Sequence, residues 1–249
     1  MATEFTGIGD PARSMALLWR TPEVPGTRPG PKSSLDVDRI VAAAVRLADA
    51  EGLSAVSMRR VAGELGAGAM SLYSHVPGKG ELVDLMLDRV LGELYPDELA
   101  PTAGNWRARV EAVARENHRL LLRHPWALSV GHPPPGPNRM RKHEIELRAV
   151  DGMGLSEVQM DLMVTLVDGF VRGAVGGAPA TAGGTQDGGD VAGSYAQQVL
   201  DPDRFPTVAR VAAVAGQDLG GDGAPDRAFE FGLERVLDGI GVLMLNPSR

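Results

Sequence analysis

Residues 53–79 read LSAVSMRRVAGELGAGAMSLYSHVPGK and are the most informative part of the chain. Ser57 is a residue type that commonly caps the start of a helix, and the apolar positions after it recur at helical spacing. Gly66 permits a sharp turn, because glycine adopts backbone angles that other residues avoid. A second short helix then runs from about Gly68 to His75. Two short helices joined by a tight turn form a helix-turn-helix, whose second helix enters the major groove of DNA.

The rest of the chain also has helical periodicity, so we predict an all-α protein. Residues 1–34 are proline-rich and read as a mobile basic arm with one helical turn near 15–19. Residues 35–95 form the three-helix helix-turn-helix head and a fourth, linking helix over 79–94. Residues 96–249 form a larger helical domain for ligand binding and dimerisation. Its predicted helices span 106–123, 138–152, 157–178, 191–200, 206–215 and 226–245.

Composition narrows the class of protein further. The 249 residues contain no cysteine, which excludes disulfides and thiolate metal sites. No apolar run approaches the ~20 residues of a membrane span, and we expect a cytoplasmic protein without membrane contact. The net charge of −7 does not exclude DNA binding, because binding depends on local charge. Between residues 11 and 35 there are four basic side chains, Arg13, Arg20, Arg28 and Lys32, against the single acid Glu23.

The segments SMRRVAGELG, AGAMSLYSHV and LYSHVPGK, with the lengths of the flanking helices, resemble the TetR family of bacterial transcriptional repressors. The remainder is similar to the tetracycline-repressor type of C-terminal domain. It shares an Asn-Trp pair at 105–106, a loop at 131–137 and two long apolar helices at 157–178 and 226–245. This resemblance implies a homodimeric repressor that binds double-stranded, palindromic operator DNA. A small organic effector in the C-terminal domain would change the spacing of the heads and release the DNA.

The resemblance also assigns roles within the head. It implies that Lys79 contacts a phosphate, with a solvated lysine as the alternative. It also implies that Arg59 reads guanine, for which the guanidinium fork is well suited, with a phosphate contact or a salt bridge to Glu64 as the alternative. Tyr73 is expected on a phosphate, with core packing as the alternative, and His75 either binds phosphate or caps its helix. The predicted DNA-binding set is Ser57, Arg59, Arg60, Ala69, Met70, Ser71, Tyr73, His75 and Lys79. Since Ala69, Met70 and Ser71 offer few polar readers, they do not predict an operator sequence.

The C-terminal domain is expected to hold an effector pocket. Candidate lining residues are Tyr95, Asn117, Trp126, His132, Met153, Met163 and Phe170, each with plain core or loop surface as the alternative. In the tetracycline repressor a histidine at the head–body junction touches the drug, and another ligates magnesium with it. Here Tyr95 takes the junction position, and His132 lies within about one residue of the second position, in a prolyl loop. Since a lone histidine is a poor metal site, we predict no metal, no cofactor and a largely apolar effector.

The helices at 157–178 and 226–245 are expected to form the dimer interface, since helices apolar on more than one face need a second partner. Glycines at 169, 173, 232, 239 and 241 would allow close approach of backbones, with a monomeric core as the alternative. Two other functions stay open at this point. One is an all-α enzyme using His118, His124, His132 or His143, and the other is a helical protein-interaction module.

Overall fold

The computed structural model describes residues 10–20, 35–96, 103–131, 133–177, 201–218 and 224–245. These residues form ten α-helices and no strand, which confirms the all-α prediction. We number them α1 (Pro11–Leu18), α2 (Val37–Glu51), α3 (Met58–Glu64), α4 (Ala69–Tyr73), α5 (Lys79–Leu91), α6 (Trp106–Arg123), α7 (Pro137–Val150), α8 (Glu157–Gly176), α9 (Pro206–Asp218) and α10 (Ala224–Leu245). The helix predicted at 191–200 lies outside the described residues.

Helix α2 supports the head and ends where the sequence predicts. The side chain of Asp36 caps its start by accepting the amide hydrogen of Arg39, with an N–O distance of 2.7 Å. Gly52 ends it with a φ of 82°, in the region that glycine favours. A short 3-10 turn at Leu53–Ala55, which the sequence analysis did not predict, then leads into α3.

Helices α3 and α4 form the predicted helix-turn-helix. Ser57 caps α3 by accepting the amide hydrogen of Arg60 at 3.3 Å. Gly66 has a φ of 63°, so the turn between the two helices needs a glycine there. Leu72 is fully buried and fixes α4 onto the rest of the head. The turn and its inward face are therefore as predicted, although α4 is shorter at both ends than the interval 68–75.

Helix α5 links the head to the body, since it packs against α1 and α2 and also against α7 of the body. Its most unusual feature is a row of buried carboxylates at Glu81, Asp84 and Asp88, which we call the acidic row. Buried carboxylates are costly unless they accept hydrogen bonds. The acidic row accepts them from two different parts of the chain, residues 10–14 and residues 138–139.

Residues 10–20 donate to the first two carboxylates of the acidic row. The amide of Asp10 donates to Glu81 Oε1 at 3.0 Å, and Ser14 Oγ donates to Asp84 Oδ2 at 2.6 Å. Ser14 and Leu18 are buried against the head. The sequence analysis placed this segment in a mobile arm, which is wrong for these residues, because α1 has an inward face that the prolines obscure. Residues 1–9 and 21–34 of the predicted arm lie outside the described part of the chain.

The body is a helical bundle in which α6 and α8 are central. Helix α8 packs against α6, α7 and α10, and α10 also contacts α6. Gly232 on α10 faces Phe170 on α8 so closely that a Cβ would lie 2.5 Å from the ring. This predicted close approach therefore occurs within one subunit. Within the described ranges, no helix combines the length and the apolar character needed to cross a bilayer.

Candidate nucleic-acid interface and ligand cavity

The helix-turn-helix presents an exposed face built from α3 and α4. Met70 is 81% exposed and Tyr73 is 45% exposed, and Arg59 and Ser71 are also on the surface. Ala69 is half-buried and packs against the core, which leaves less of it for DNA than the sequence suggests. His75 and Lys79 are half-buried, and Lys79 is the first residue of α5. Most of the predicted readers and phosphate contacts are therefore at least partly exposed to solvent.

The two neighbouring arginines of α3, Arg59 and Arg60, differ in their ion-pair partners. Arg60 donates from both terminal nitrogens to Glu51, with N–O distances of 2.9 and 2.6 Å. The hydrogen bond from Arg60 lowers the pKa of the Glu51 carboxyl. Arg59, by contrast, makes no ion pair with any described residue. Its guanidinium is the one of this pair that is available for a base or a phosphate.

A cavity of about 810 Å³ lies beside the linking helix. Leu87 and Leu91 of α5 form one wall, and the loop before α7 contributes a second, including Pro133 and Pro135. Most of the rest of the wall comes from the facing sides of α7 and α8. These helices contribute Arg139, Met140, Lys142, His143, Glu146, Asp161, Val164, Thr165, Asp168 and Arg172, and the segment before α7 adds Val130 and Gly131. A molecule in this cavity would touch the helix that carries the head.

The wall of this cavity carries charged side chains beside its apolar ones. The largely apolar character predicted for the effector stays a prediction. Lys142 Nζ lies 2.8 Å from Glu146 Oε2 and 3.4 Å from Asp168 Oδ1. Arg172 donates to the carbonyls of Leu128 and Val130, at 3.3 and 3.5 Å. These polar groups alternate with leucine and valine, so the cavity suits an organic molecule that carries several polar substituents.

None of the described residues predicted to bind ligand lies on the cavity wall. Trp126 is buried and donates to Asp49 Oδ1 at 2.7 Å, while Met153 and Met163 are buried core residues. Phe170 is half-buried and stacks on Phe229, with ring centroids 5.7 Å apart. His132 lies outside the described residues. A ligand role for these residues stays a prediction.

Tyr95 and Asn117 are connected to the cavity through Glu146. Tyr95 Oη donates to Glu146 Oε1 at 2.7 Å, and Asn117 Nδ2 donates to the same oxygen at 2.7 Å and to Tyr95 Oη at 2.8 Å. Burial, and then the nearby carboxylate, raise the pKa of the Tyr95 phenol, so it stays protonated as the donor. The Glu146 carboxylate, which pairs with Lys142 in the cavity wall, is thus also hydrogen-bonded to Tyr95, just beyond the end of α5.

Tyr95 also adopts a strained backbone. Its φ is 55°, in the left-handed region that non-glycine residues rarely enter. Arg141 on α7 holds this conformation by donating to the carbonyls of Leu94 and Tyr95, at 2.9 and 2.7 Å. The junction between head and body is therefore held by side chains of α7, the helix that also lines the cavity.

The polar wall residues were not among the predicted ligand contacts, although the sequence contains a signal for them. Arg139, Lys142, His143 and Glu146 recur at intervals of three and four along α7, which places them on one side of a helix. A similar set on α8 faces them, but only the tertiary packing of α7 on α8 turns two polar stripes into one cavity.

The outer face of the body carries large apolar side chains that no described residue covers. Val158, Leu162 and Leu166, at intervals of four on α8, are 69%, 60% and 52% exposed. Phe231 and Val242 on α10 are each 65% exposed. Gly169 and Gly173 on α8 have open space where a Cβ would stand. These features lie on the two helices predicted to pair with a second subunit.

Comparison with known proteins shows which family has this arrangement of head and body. Residues 40–86 match the family model described as bacterial regulatory proteins, tetR family, and residues 99–244 match the tetracyclin repressor-like C-terminal domain. The chain belongs to the TetR family. The two matched ranges coincide with the head and the body described above, so the resemblance read from LYSHVPGK and the helix lengths is confirmed.

Relatives within the TetR family include repressors from Streptomyces and Escherichia coli. The chain is 43% identical to the HTH-type transcriptional repressor DrrR1 of Streptomyces coeruleorubidus, over 98% of this chain and 90% of that protein. It is 26% identical to the class A tetracycline repressor from transposon 1721 of Escherichia coli, over 84% and 91%. Apo ActR of Streptomyces coelicolor superposes with a TM-score of 0.68 at 33% identity, over 86% of this chain and 98% of ActR.

ActR has also been solved in complex with actinorhodin, and that structure matches with a TM-score of 0.66 at 33% identity, over 82% of this chain and 94% of ActR. As a TetR-family member with both domains, the protein is a ligand-responsive DNA-binding transcriptional repressor, and its C-terminal domain is the ligand-binding part.

Proposed function

We propose that the protein is a homodimeric repressor whose effector occupies the cavity between α5, α7 and α8 and thereby releases palindromic operator DNA. The strongest support for this proposal is the position of the cavity beside the linking helix. Leu87 and Leu91 of the linking helix form part of the cavity wall, so the effector touches the element that positions the head. A ligand shifts such an equilibrium by its difference in affinity for the two head positions.

On the DNA side, α4 enters the major groove with Met70 and Ser71 on its exposed face. Arg59 reads a base edge, while Tyr73 and Lys79 bind phosphates on either side of the groove. His75 and the helix start at Ser57 add phosphate contacts, and Arg60 braces α3 through Glu51. This division of roles is supported by the exposure of Arg59, Met70 and Tyr73, which belong to the two helices of the helix-turn-helix.

On the ligand side, we infer an organic effector with both apolar rings and polar substituents. The volume of about 810 Å³ is within the range of small-molecule sites, and its leucines and prolines supply apolar contact. Lys142, Glu146 and Arg172 supply polar contacts. Since ActR binds actinorhodin, this compound is a suitable first probe for the present cavity.

The dimer brings two heads to one operator. Pairing through the uncovered faces of α8 and α10 would bury Leu162, Leu166 and Phe231, which are exposed in the single subunit. Successive major grooves require recognition helices about 34–36 Å apart. We therefore propose that the effector acts by changing this separation, and that the protein works in the cytoplasm, where its DNA lies.

A catalytic role gains no support from the histidines. His118 stacks on Phe229 with ring centroids 3.8 Å apart, His124 lies between Asp49 and Glu93, and His143 pairs with Asp161. These described histidines sit in separate places and do not converge on one reacting point.

The deciding experiment measures binding of the purified protein to the DNA upstream of its own gene by fluorescence anisotropy. We expect tight binding that falls steeply with salt, and release by actinorhodin or by a compound found in a thermal-shift screen. Lys79→Ala is expected to weaken binding and reduce the salt slope by about 1, as loss of one phosphate contact does. Arg148→Ala, an exposed site on α7, is the matched control. Absence of binding at low salt would overturn the proposal.

A further inference from the structure

The N-terminal helix α1 contacts both parts of the switch, the linking helix and the cavity loop. Its contacts with Glu81 and Asp84 of the acidic row attach it to α5. At its other end, the Trp19 indole Nε1 donates to the carbonyl of Pro135 at 2.8 Å. Pro135 lies in the loop that lines the cavity. Residues 10–20 therefore span from the head to the cavity wall.

A second set of contacts, made by residues of the body, attaches the start of α7 to the linking helix. The amide of Arg139, in the first turn of α7, donates to Asp88 Oδ1 at 3.0 Å. Asn138 donates to Asp88 Oδ2 from its backbone and its side chain, at 3.4 and 3.2 Å. Gly136 lies against Asp88 and Leu18 so closely that a Cβ there would overlap the carboxylate. Leu18, Asp88 and Gly136 thus bring α1, α5 and the cavity loop into one packed junction.

We propose that α1 is a strap that couples the cavity loop to the linking helix, with Trp19 as a positioning residue for the response to effector. The proposal rests on the proposed function, because it assumes that the effector acts from this cavity. A loop displaced by an effector would pull on Trp19, and α1 would carry that displacement to α5 through Ser14 and Asp84. Without the strap, the loop and the linking helix would move independently.

The alternative is that α1 serves DNA binding directly, as part of a basic arm. The geometry favours the strap, because Ser14 and Leu18 are buried in the protein. The Trp19 side chain is 52% exposed, but its N–H is bonded to Pro135 of the cavity loop. Arg20 is also held within the chain, since it donates to Asp38 of α2 and to the carbonyl of Leu17. The two roles differ in their response to salt, since only a lost phosphate contact reduces the salt slope.

The test compares full-length wild type with Trp19→Phe, which removes the indole donor but keeps an aromatic ring. Ala16→Ser, on the exposed side of α1, is the matched control. Hydrogen–deuterium exchange of the ligand-free protein measures how firmly α1, α5 and the cavity loop hold one another. We expect Trp19→Phe to raise exchange several-fold in residues 138–141 and 81–90, and Ala16→Ser to leave it unchanged. Wild-type exchange in both segments of Trp19→Phe would overturn the strap.

A second measurement follows DNA binding and its release by actinorhodin. We expect Trp19→Phe to shift the half-releasing concentration several-fold while the salt slope of DNA binding stays at the wild-type value. A reduced salt slope with unchanged exchange would mean that α1 acts by touching DNA, and would overturn the proposal. If Trp19→Phe has a lowered melting temperature, Ser14→Ala tests the other end of the strap in the same assays. Failure of wild type to bind DNA would count against the proposed function alone, because the exchange result does not depend on DNA.

Discussion

Neighbouring side chains of the same type have different tasks in this head, and hydrogen bonding separates them. Arg60 is held by both oxygens of Glu51, whereas Arg59 makes no ion pair within the described ranges. A guanidinium already held by a carboxylate would have to exchange that partner before it could read a base. The sequence placed both arginines at the interface but did not distinguish them, because Glu51 belongs to another helix.

This difference gives a prediction about specificity. Arg59→Ala should reduce discrimination at one operator base pair by about 1–3 kcal/mol, because a bidentate contact to guanine is lost. Arg60→Ala should weaken binding more evenly across sequences, since it removes the brace between α3 and α2. Anisotropy titrations with a panel of single-base operator variants measure both effects. Equal loss at all base pairs for Arg59→Ala would assign it to phosphate.

A second residue-scale prediction concerns the buried Tyr95 hydroxyl. Tyr95→Phe removes the donor to Glu146 and is expected to lower the free energy of unfolding by about 1 kcal/mol, as loss of a typical buried hydrogen bond does. The same change at the exposed Tyr73 should alter stability by less than about 0.5 kcal/mol, but it should weaken DNA binding. Urea unfolding of both variants provides the comparison. Equal stability of the two would argue that the Tyr95 hydroxyl contributes nothing.

At the scale of elements, α5 shows what the sequence predicts well and what it does not. Its length and apolar rows follow from periodicity, as do the caps of α2 and α3 and the glycine turn at Gly66. The acidic row looks like a solvated face in the sequence, because charged residues on a helix are usually exposed. It is buried only because α1 and α7 cover it from distant parts of the chain.

The ligand cavity was likewise not predictable from local sequence patterns. Its wall is assembled from α5, α7, α8 and a loop, and no local pattern specifies which faces meet. The predicted apolar candidates, such as Met163 and Trp126, are apolar because they fill the core. Sequence reasoning favoured them because it could not separate an apolar pocket from an apolar core.

The acidic row predicts a pH dependence of stability. Burial raises the pKa of Asp84 above its ordinary value, so the fold favours the protonated carboxyl. Its contribution is therefore fully present below the unfolded pKa of about 3.9 and is lost as the pH rises through the raised folded value. Asp84→Asn keeps a hydrogen-bonding partner for Ser14 but cannot ionise.

We expect the stability of wild type relative to Asp84→Asn to fall as the pH rises from about 3.5 toward neutral. Urea unfolding at several pH values measures this difference, and Asp203→Asn, at an exposed site, is the control that should leave the profile unchanged. A difference that is constant with pH, or one that grows as the pH rises, would contradict the assignment.

At the scale of the whole molecule, one subunit leaves apolar surface that a soluble monomer rarely exposes as a continuous stripe. Leu162 and Leu166 on α8 are the central members of that stripe. Leu162→Asp should convert a dimer into a monomer and abolish tight operator binding, because each head alone engages only a half-site. Leu122→Asp, on the exposed side of α6, is the matched control and should stay dimeric.

Light scattering coupled to size-exclusion chromatography gives the mass of each variant. A monomeric wild type would overturn the proposed interface. A Leu162→Asp protein that remains dimeric would place the interface on another face of the body.

The acidic row also matters for the design of chimeric sensors, in which the head of one repressor is fused to the body of another. The chain passes from head to body near residue 96. Nevertheless, Asp88 accepts hydrogen bonds from α7 of the body, and Asp84 accepts one from α1, which precedes the head. A head transplanted without these two neighbours would bury carboxylates that have lost their donors. A working graft therefore has to carry residues 10–20 and 136–139 along with the head, so the exchangeable unit of this protein is discontinuous in sequence.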